Sequence, residues 1–214
     1  MKWVIRLLLF ILVIAAALFV VSLFIPGTIK SSSTATIDAP SPIVFSQLNE
    51  LKKWEEWDAW HKLDPDAKMD YSIPSSGKGA WYSWDGSKLG TGKVTITDAN
   101  PGKSLGYELD LGHGSKANSN FIIDTEGDRT KLTWNFESKI GMNPIAKFMT
   151  MGMGKEVKKM SDEGLKNLSD LCFKEYQEFK KIQQEMKALE DTLKPAIIQP
   201  AQAEPAVVPA PAVK

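Results

Sequence analysis

Five segments between residues 80 and 136 alternate apolar and polar side chains, and this alternation restricts the fold more than any other feature of the chain. Glycine, proline or asparagine bounds each segment, as expected for strands joined by tight turns. The alternation favours an antiparallel sheet with one buried face and one wet face. The positions predicted to face the core are Ala80, Tyr82 and Trp84; Val94 and Ile96; Leu105, Tyr107, Leu109 and Leu111; Ala117, Ser119, Phe121 and Ile123; and Leu132, Trp134 and Phe136.

A strand and a short helix are predicted before this series. The segment TATIDAP reads as a strand, after a tether formed by Pro26-Gly27 and the SSST run at 31–34. Ser41-Pro42 predicts a helix start, because serine is a common N-cap and proline suits the first helical turn. The helix is predicted to be amphipathic and to run into WEEWDAW, residues 54–60. Its apolar positions are Val44, Phe45, Leu48 and Leu51.

A long helix is predicted after the last strand. Asn143 and Pro144 supply an N-cap and a first-turn proline, and an apolar stripe at helical spacing can cover the apolar face of the sheet. Strands in series followed by one long helix indicate an α+β fold. The stripe consists of Ile145, Met149, Met153, Val157, Met160, Gly164, Leu168 and Leu171.

The helical pattern continues past the domain, to residue 194. Apolar residues at heptad spacing over residues 165–193 are typical of a coiled-coil seam, with one polar interruption at Glu175. Two interpretations stay open: the seam joins copies of the chain into a homo-oligomer, or the helix folds back on its own domain. The tail, residues 195–214, is rich in proline and alanine, which predicts an extended and disordered segment.

Residues 7–25 carry no charge. Nineteen residues at a rise of ~1.5 Å span ~29 Å, close to the ~30 Å hydrocarbon thickness of a bilayer. The run lacks a small-x-small cleavage site, so a retained transmembrane anchor over residues 1–27 is favoured above a cleaved signal peptide. Lys2 and Arg6 precede the run and only Lys30 follows closely. The positive-inside rule therefore predicts a single-pass protein with a cytoplasmic N-terminus and a domain on the non-cytoplasmic side, the periplasm in a Gram-negative cell.

Composition excludes several classes of function. Lys plus Arg and Asp plus Glu both number 26, so the net charge is zero, which argues against a nucleic-acid partner. The single cysteine, Cys172, lies in a helical apolar pattern and is predicted to be a small buried hydrophobe. The glycine-rich residues 86–92 join two strands and lack a phosphate-loop ending, so they predict a hairpin. No cofactor is expected.

The order of five segments resembles the polyketide cyclase/dehydrase-like branch of the SRPBCC (START-like, helix-grip) superfamily. These segments are IDAPSPIVFSQLNELKKWEEW, GKGAWYSWDG, GTGKVTIT, TKLTWNFE and EGLKNLSDL, and the resemblance extends from about Ser33 to about Cys172. It implies a helix-grip fold over residues 28–172, leaving residues 173–194 as a helical extension. In this fold a curved antiparallel sheet of about seven strands wraps around a long C-terminal helix, and two short helices follow the first strand.

The resemblance also implies a cavity for an apolar ligand between the sheet and the helix. From the residues alone, the aromatic sheet face and the methionines of the helix are consistent with either a tightly packed core or a lined pocket. Trp54 is expected to pack, whereas Trp57 and Trp60 are expected either at the pocket rim or in the core. The predicted cavity residues are Trp57, Trp60, Tyr82, Trp84, Tyr107, Ser119, Phe121, Trp134, Met149 and Met153.

The chain shows no catalytic or metal-binding constellation in its sequence. His61 lies near several aspartates, but a helix end and an Asp-Pro-Asp turn collect acidic residues without a metal, so no metal site is predicted. His113 is predicted to lie exposed in a hairpin turn, LGHGS.

Three hypotheses of function follow. The first is a membrane-anchored binding module for a hydrophobic small molecule or lipid. The second is a polyketide cyclase/dehydrase-type enzyme in which Tyr82, Tyr107 or His61 acts as acid or base. The third is an interaction or scaffold protein that acts through the coiled-coil extension and the tail.

Overall fold

The computed structural model describes residues 2–112 and 114–197 of the 214-residue chain. Residues up to Tyr176 form one compact unit, and the described residues from Gln177 onward form a second. The helices are α1 (Lys2–Phe24), α2 (Ser41–Asn49), α3 (Trp54–Trp57), α4 (Pro144–Met149) and α5 (Met153–Ile197). The strands are β1 (Thr28–Ile37), β2 (Lys68–Tyr71), β3 (Trp81–Gly86), β4 (Gly90–Asn100), β5 (Ser104–Asp110), β6 (Lys116–Glu126) and β7 (Arg129–Lys139).

The seven strands form one antiparallel sheet in the order β1-β7-β6-β5-β4-β3-β2. The first part of α5 packs on the apolar face of this sheet, where Leu165, Leu168 and Cys172 belong to the same buried cluster as Phe121 and Trp134. This architecture confirms the predicted α+β helix-grip fold. The prediction that Cys172 is a small buried hydrophobe is also confirmed, because its side chain is fully buried.

One end of the sheet lies next to α1. Only three residues separate the end of α1 from Thr28, the first residue of β1, and Thr28 pairs with Lys139, the last residue of β7. Antiparallel pairing places the start of β6, the end of β5 and the hairpin between β3 and β4 at the same end. We call this end the α1 end of the sheet.

The predicted tether at residues 31–34 is wrong, because these residues belong to β1. The strand pairs with β7 along its whole length, from Thr28 to Ile37. Its inward positions, Ile29, Ser33 and Ile37, are buried at every fourth residue. Serine and threonine occupy six of the ten positions of β1, so the strand does not show a clear apolar alternation. The four-residue strand β2 was not recognised in the alternation either, because it is too short to show a clear period.

The predicted long helix from Pro144 is divided into two helices. The side chain of Asn143 accepts hydrogen bonds from the backbone N–H groups of Ile145 and Ala146, as expected of an N-cap. The chain then breaks at Gly152, which has a φ of +91°, and α5 begins one residue later. Such a φ is accessible to glycine and strained for other residues, so the break is a local property of this position.

Helix α5 extends to Ile197, three residues into the predicted tail; the rest of the tail and His113 lie outside the described residues. The predicted seam divides within this helix. Its first apolar positions, from Leu165 to Cys172, are buried in the domain. In the second unit, self-association through the later positions stays a prediction. The exposed later positions are Phe179, Ile182, Met186 and Leu189.

Helix α1 is the only helix among the described residues that is long and apolar enough to cross a membrane. It has 23 residues, and nearly all of its large apolar side chains are exposed. A helix that packs inside a soluble domain would bury such side chains, whereas α1 leaves them uncovered.

Candidate functional site

A cavity of about 330 Å³ lies between the apolar face of the sheet, the segment around α3 and the first turns of α5. Its volume falls within the range of small-molecule sites, and most of its lining is apolar or aromatic. Six of the ten predicted cavity residues line it: Trp60, Tyr82, Trp84, Tyr107, Trp134 and Met153.

The other four predicted cavity residues lie elsewhere. Trp57 and Phe121 are fully buried in the core, where their rings pack against each other at 6.2 Å between centroids. Ser119 lies behind the cavity wall, and its hydroxyl donates a hydrogen bond to the carbonyl of Asn135. Met149 is exposed on α4, because the break at Gly152 removes it from the stripe of α5.

Trp54 and Trp57 of WEEWDAW are buried in the core, whereas Trp60 lines the cavity. The prediction assumed one continuous helix, but α3 ends at Trp57 and the backbone of Asp58 is extended. Trp60 therefore leaves the stripe that Trp54 and Trp57 share. Trp54 packs in the core, as expected, and also lines the cavity; its indole N–H donates to the carbonyl of Leu48 at 2.9 Å, which fixes the ring.

Aromatic rings form much of the cavity wall. Trp54 meets Tyr107 edge to face, with 5.0 Å between ring centroids, and it also meets Tyr82 edge to face, at 6.1 Å. The ring of Trp84 lies over Gly92 of the neighbouring strand. A Cβ at Gly92 would overlap the six-membered ring, so only glycine leaves room for it. The wall is therefore rigid where rings interlock, which favours a preformed cavity.

The polar groups predicted to orient a ligand are partly engaged with the protein itself. The indole N–H of Trp134 donates to the hydroxyl oxygen of Tyr107 and to that of Ser119, both at 2.9 Å. Burial raises the pKa of the hydroxyls of Tyr82 and Tyr107 above their ordinary value, so both stay protonated near neutral pH. Each hydroxyl can act as a hydrogen-bond donor but not as a base.

Asp58 and His61 form a polar pair in the cavity wall that sequence reasoning missed. Oδ2 of Asp58 lies 3.1 Å from Nδ1 of His61, and Asp58 is only 3% exposed. When Nδ1 carries the ring proton, the carboxylate accepts a hydrogen bond from it and Nε2 is left as an acceptor. Nε2 is buried and has no hydrogen-bond partner among the described residues. The i, i+3 spacing of an acid and a histidine at a helix end was the available signal.

A second unpartnered group lies in the same wall. Nε1 of Trp84 is buried and has no hydrogen-bond partner within the described part of the chain. An indole N–H donates only, whereas Nε2 of His61 accepts when the ring is neutral. The wall therefore contains one unpartnered donor and, when His61 carries its proton on Nδ1, one unpartnered acceptor among the described residues.

Asp64 holds the hairpin between β3 and β4 against the cavity. Its Oδ2 accepts hydrogen bonds from the backbone N–H groups of Lys88 and Leu89, at 2.7 and 3.1 Å. These bonds stabilise the ionised form and lower the pKa of Asp64 below its ordinary value. Because Leu89 lines the cavity, Asp64 sets the position of one of its edges.

The neighbouring acids do not form a metal site with His61. Within residues 2–112 and 114–197, no three His, Cys, Asp or Glu side chains are arranged to hold a metal ion. The carboxylate of Asp58 is hydrogen-bonded to His61, and that of Asp64 accepts a hydrogen bond from the backbone of the hairpin.

A second depression, of about 480 Å³, lies on the opposite face of the sheet. It is shallow and open, and its lining includes Lys30, Asn118, Asn120, Asn135 and Glu137. An open site of this composition does not exclude water, so the more enclosed apolar cavity is the better candidate for ligand binding.

Comparison with known proteins is consistent with this architecture. A family model described as polyketide cyclase / dehydrase and lipid transport matches residues 28–172. No curated protein matches the chain.

Among solved structures, protein CV1439 from Chromobacterium violaceum matches with 12% identity and a TM-score of 0.50, covering 69% of this chain and 98% of that one. Ara h 8.0201 matches with 15% identity and a TM-score of 0.51, covering 69% and 99%. A point mutant of norcoclaurine synthase from Thalictrum flavum, in complex with a transition-state analogue, matches with 12% identity and a TM-score of 0.51, covering 69% and 96%. At these identities the likeness shows the fold alone.

Proposed function

This chain belongs to the polyketide cyclase / dehydrase and lipid transport family, and we propose that it is a membrane-anchored module that binds a hydrophobic small molecule or lipid between its sheet and α5. The main support for this proposal is the apolar, aromatic cavity of about 330 Å³. Interlocked rings around an unfilled space are consistent with a ligand site, because a core that serves only stability closes such voids. The unpartnered Nε2 of His61 and Nε1 of Trp84 support a ligand that carries at least one polar group.

Binding is tested on a fragment of residues 27–197, which retains all of β1. Solved structures with this fold are covered over 96–99% of their own length, so the fold exists without α1. Native mass spectrometry should detect a co-purifying apolar molecule, which organic extraction then identifies. Ser161→Phe fills the cavity from α5, since Ser161 is buried in its wall, and should abolish the bound mass.

The matched control is Ser169→Phe, the same change about two turns further along α5 and outside the cavity lining. It should retain the ligand. A fragment that carries no apolar molecule, and that binds the fluorescent probe N-phenyl-1-naphthylamine no better than Ser161→Phe does, would contradict the proposal.

The anchor is proposed to be α1, with the N-terminus in the cytoplasm and the domain on the other side of the membrane. Its length of 23 residues and its exposed apolar surface support this role. The full chain should stay in the membrane pellet after extraction with alkaline carbonate. Protease should digest the domain in right-side-out vesicles and spare it in inverted ones; the reverse pattern would exclude the proposed orientation.

A second candidate function, acid–base catalysis on a bound polyketide-like substrate, is favoured by the Asp58–His61 pair. An imidazole held by a buried carboxylate in the wall of a ligand cavity, with its other nitrogen unpartnered among the described residues, is a candidate general base. The ring of Tyr82 lies 5.3 Å from that of His61 and carries a protonated hydroxyl that can serve as the acid.

Turnover separates the two candidate functions. Cyclisation or dehydration of a poly-β-ketone thioester should require His61 if the protein is an enzyme, so His61→Gln should abolish turnover while leaving ligand binding measurable. Turnover that is equal in the wild type and in His61→Gln would exclude His61 as the base. Absence of turnover together with tight binding would leave the binding module as the function.

A further inference from the structure

Helix α4 and the residues around it expose a run of large apolar side chains. Ile145 and Met149 are four residues apart, so they share one face of α4. Soluble proteins rarely leave contiguous apolar patches of this kind uncovered. We call this surface the α4 face. Its members, between 49% and 80% exposed, are Met142, Ile145, Met149, Met151 and Met153.

The α4 face lies beside the end of α1. The side chain of Lys147 is buried, and its Nζ donates a hydrogen bond to the carbonyl of Ser22, in the last turn of α1, at 3.1 Å. The backbone N–H groups of Ile140 and Gly141 both donate to the carbonyl of Gly27, at 2.9 and 3.2 Å. A cation at a helix C-terminus is stabilised by the helix dipole. These bonds hold α4 at the point where the apolar helix ends.

Lysines flank the α4 face, and the nearest acids along the chain, Glu137 and Glu156, lie just outside it. Residues 138–155 contain three lysines and no aspartate or glutamate. Lys147 donates its hydrogen bond to Ser22, while Lys139 and Lys155 are exposed on either side of the apolar residues. Apolar side chains flanked by lysines are the composition that binds the surface of an anionic bilayer.

The cavity opens at the same end of the sheet. Its most exposed apolar lining residues are Leu111, which follows β5, and Met153, which is also a member of the α4 face. Leu89, in the hairpin between β3 and β4, forms another part of this edge. Leu111 and Leu89 lie at the α1 end of the sheet, and Met153 lies in the first turn of α5 beside the start of β1, so the mouth of the cavity and the end of α1 face the same side.

We infer that the α4 face lies in the bilayer surface and that the cavity receives its ligand directly from the membrane, as a lipid or lipid-soluble molecule. This inference rests on the proposed function, since it requires both the anchor and the ligand cavity. The bilayer is the occupant of the α4 face because α1 brings it to this surface and the flanking lysines match its headgroups.

Insertion of the α4 face is tested on the full chain in vesicles of phosphatidylethanolamine and phosphatidylglycerol. A nitroxide label is attached at Ile145→Cys, in a Cys172→Ala background, and its collisions with oxygen and with a water-soluble nickel chelate are compared. The control label is at Ile73→Cys, which is 98% exposed and lies beyond the end of β2, at the opposite edge and the opposite end of the sheet.

Collisions with oxygen should dominate at residue 145 and collisions with nickel at residue 73. A third label, at Val13→Cys in the middle of α1, tests the membrane anchor separately from the α4 face. If residue 13 lies in the hydrocarbon and residue 145 in water, the inference fails and the anchor stands. If residue 13 also lies in water, both the anchor and the inference fail.

Entry from the bilayer is tested by energy transfer from the domain tryptophans to a pyrene-labelled fatty acid carried in the vesicles. Trp3, in α1, is replaced by Phe in every variant, because the other six tryptophans lie in the domain. Ile145→Glu with Met149→Glu should slow the rise of energy transfer several-fold, whereas Ile73→Glu should not change it. Equal rates in all variants would overturn the direct route from the membrane.

Discussion

Gly164 of α5 lies against the ring of Trp134, so closely that a Cβ on this glycine would come within 3.0 Å of Cζ3 of the indole. Trp134 is only 4% exposed and its N–H is held by two hydroxyl groups, so the ring cannot move aside freely. The absence of a side chain at this position lets α5 approach the sheet at the back of the cavity. Glycine is therefore used here for close packing, at some cost in helix propensity.

Gly164→Ala should destabilise the domain. Overpacking costs about 1–3 kcal/mol, which exceeds the gain of up to ~1 kcal/mol from replacing glycine by alanine in a helix. The matched control is Gly154→Ala in the same helix, where a Cβ would meet its nearest neighbours at 3.6 and 3.7 Å, an ordinary contact. It should stabilise the domain by up to ~1 kcal/mol. Urea unfolding of the 27–197 fragment measures both, and equal signs would contradict the packing role of Gly164.

The Asp58–His61 pair predicts the tautomer of His61. The carboxylate is placed to accept a hydrogen bond from Nδ1–H, so the neutral ring should carry its proton on Nδ1 and leave Nε2 unprotonated. Long-range proton–nitrogen correlation spectra report this directly, and the chain has only two histidines, which His113→Gln distinguishes. Asp58→Ala should remove the preference for the Nδ1–H form. A wild-type His61 in the Nε2–H form would contradict the described hydrogen bond.

Side chains on strands β3 to β7 were placed on the correct face by pattern alone, and those at the helix boundaries were not. Alternation determines which face of a sheet a residue occupies, so Tyr82, Trp84, Tyr107 and Trp134 were all expected on the inner face, where they line the cavity. No such rule says where a helix breaks. The extended backbone at Asp58 and the positive φ at Gly152 redirect the chain, and both depend on tertiary packing.

Local breaks of this kind explain why some side chains lie outside the helical stripes predicted for them. Trp57 and Trp60 share a stripe only if the helix continues past Asp58, and Met149 joins α5 only if the helix continues past Gly152. Ser119 and Phe121 were placed on the correct face of β6, but a period of two does not say which inward side chains border an empty space. The cavity depends on the shapes of many side chains at once, which sequence periodicity does not contain.

Asp64 predicts a pH dependence of stability. Its folded pKa lies below its ordinary value of 3.8, because it accepts two backbone hydrogen bonds from the hairpin. The ionised form therefore stabilises the fold above about pH 4, and this contribution is lost as the pH falls through the lowered pKa. Asp64→Asn should lower the melting temperature at pH 7, and its difference from the wild type should shrink below pH 4.

Asp66→Asn is the control for this prediction, since Asp66 is an exposed residue of the same Asp-Pro-Asp turn. It should leave the melting temperature nearly unchanged at either pH. A difference between wild type and Asp64→Asn that persists unchanged at pH 3 would show that the charge of Asp64 does not hold the hairpin.

The thiol of Cys172 is expected to react more slowly in the folded chain than in the unfolded chain, and its rate of reaction reports on how α5 packs. Its side chain is fully buried in the domain core, and burial raises the pKa of the thiol to about 12. Because the thiolate is the reacting species, modification by 5,5′-dithiobis(2-nitrobenzoate) at pH 8 should be roughly a thousandfold slower than for a free cysteine. Unfolding in guanidinium chloride should restore the ordinary rate.

Lys166→Cys in a Cys172→Ala background is the control, because Lys166 is exposed on the same helix and should react at once. Fast modification of Cys172 in the native chain would mean that this part of α5 leaves the sheet, as it would have to do if residues 165–172 joined an intersubunit coiled coil.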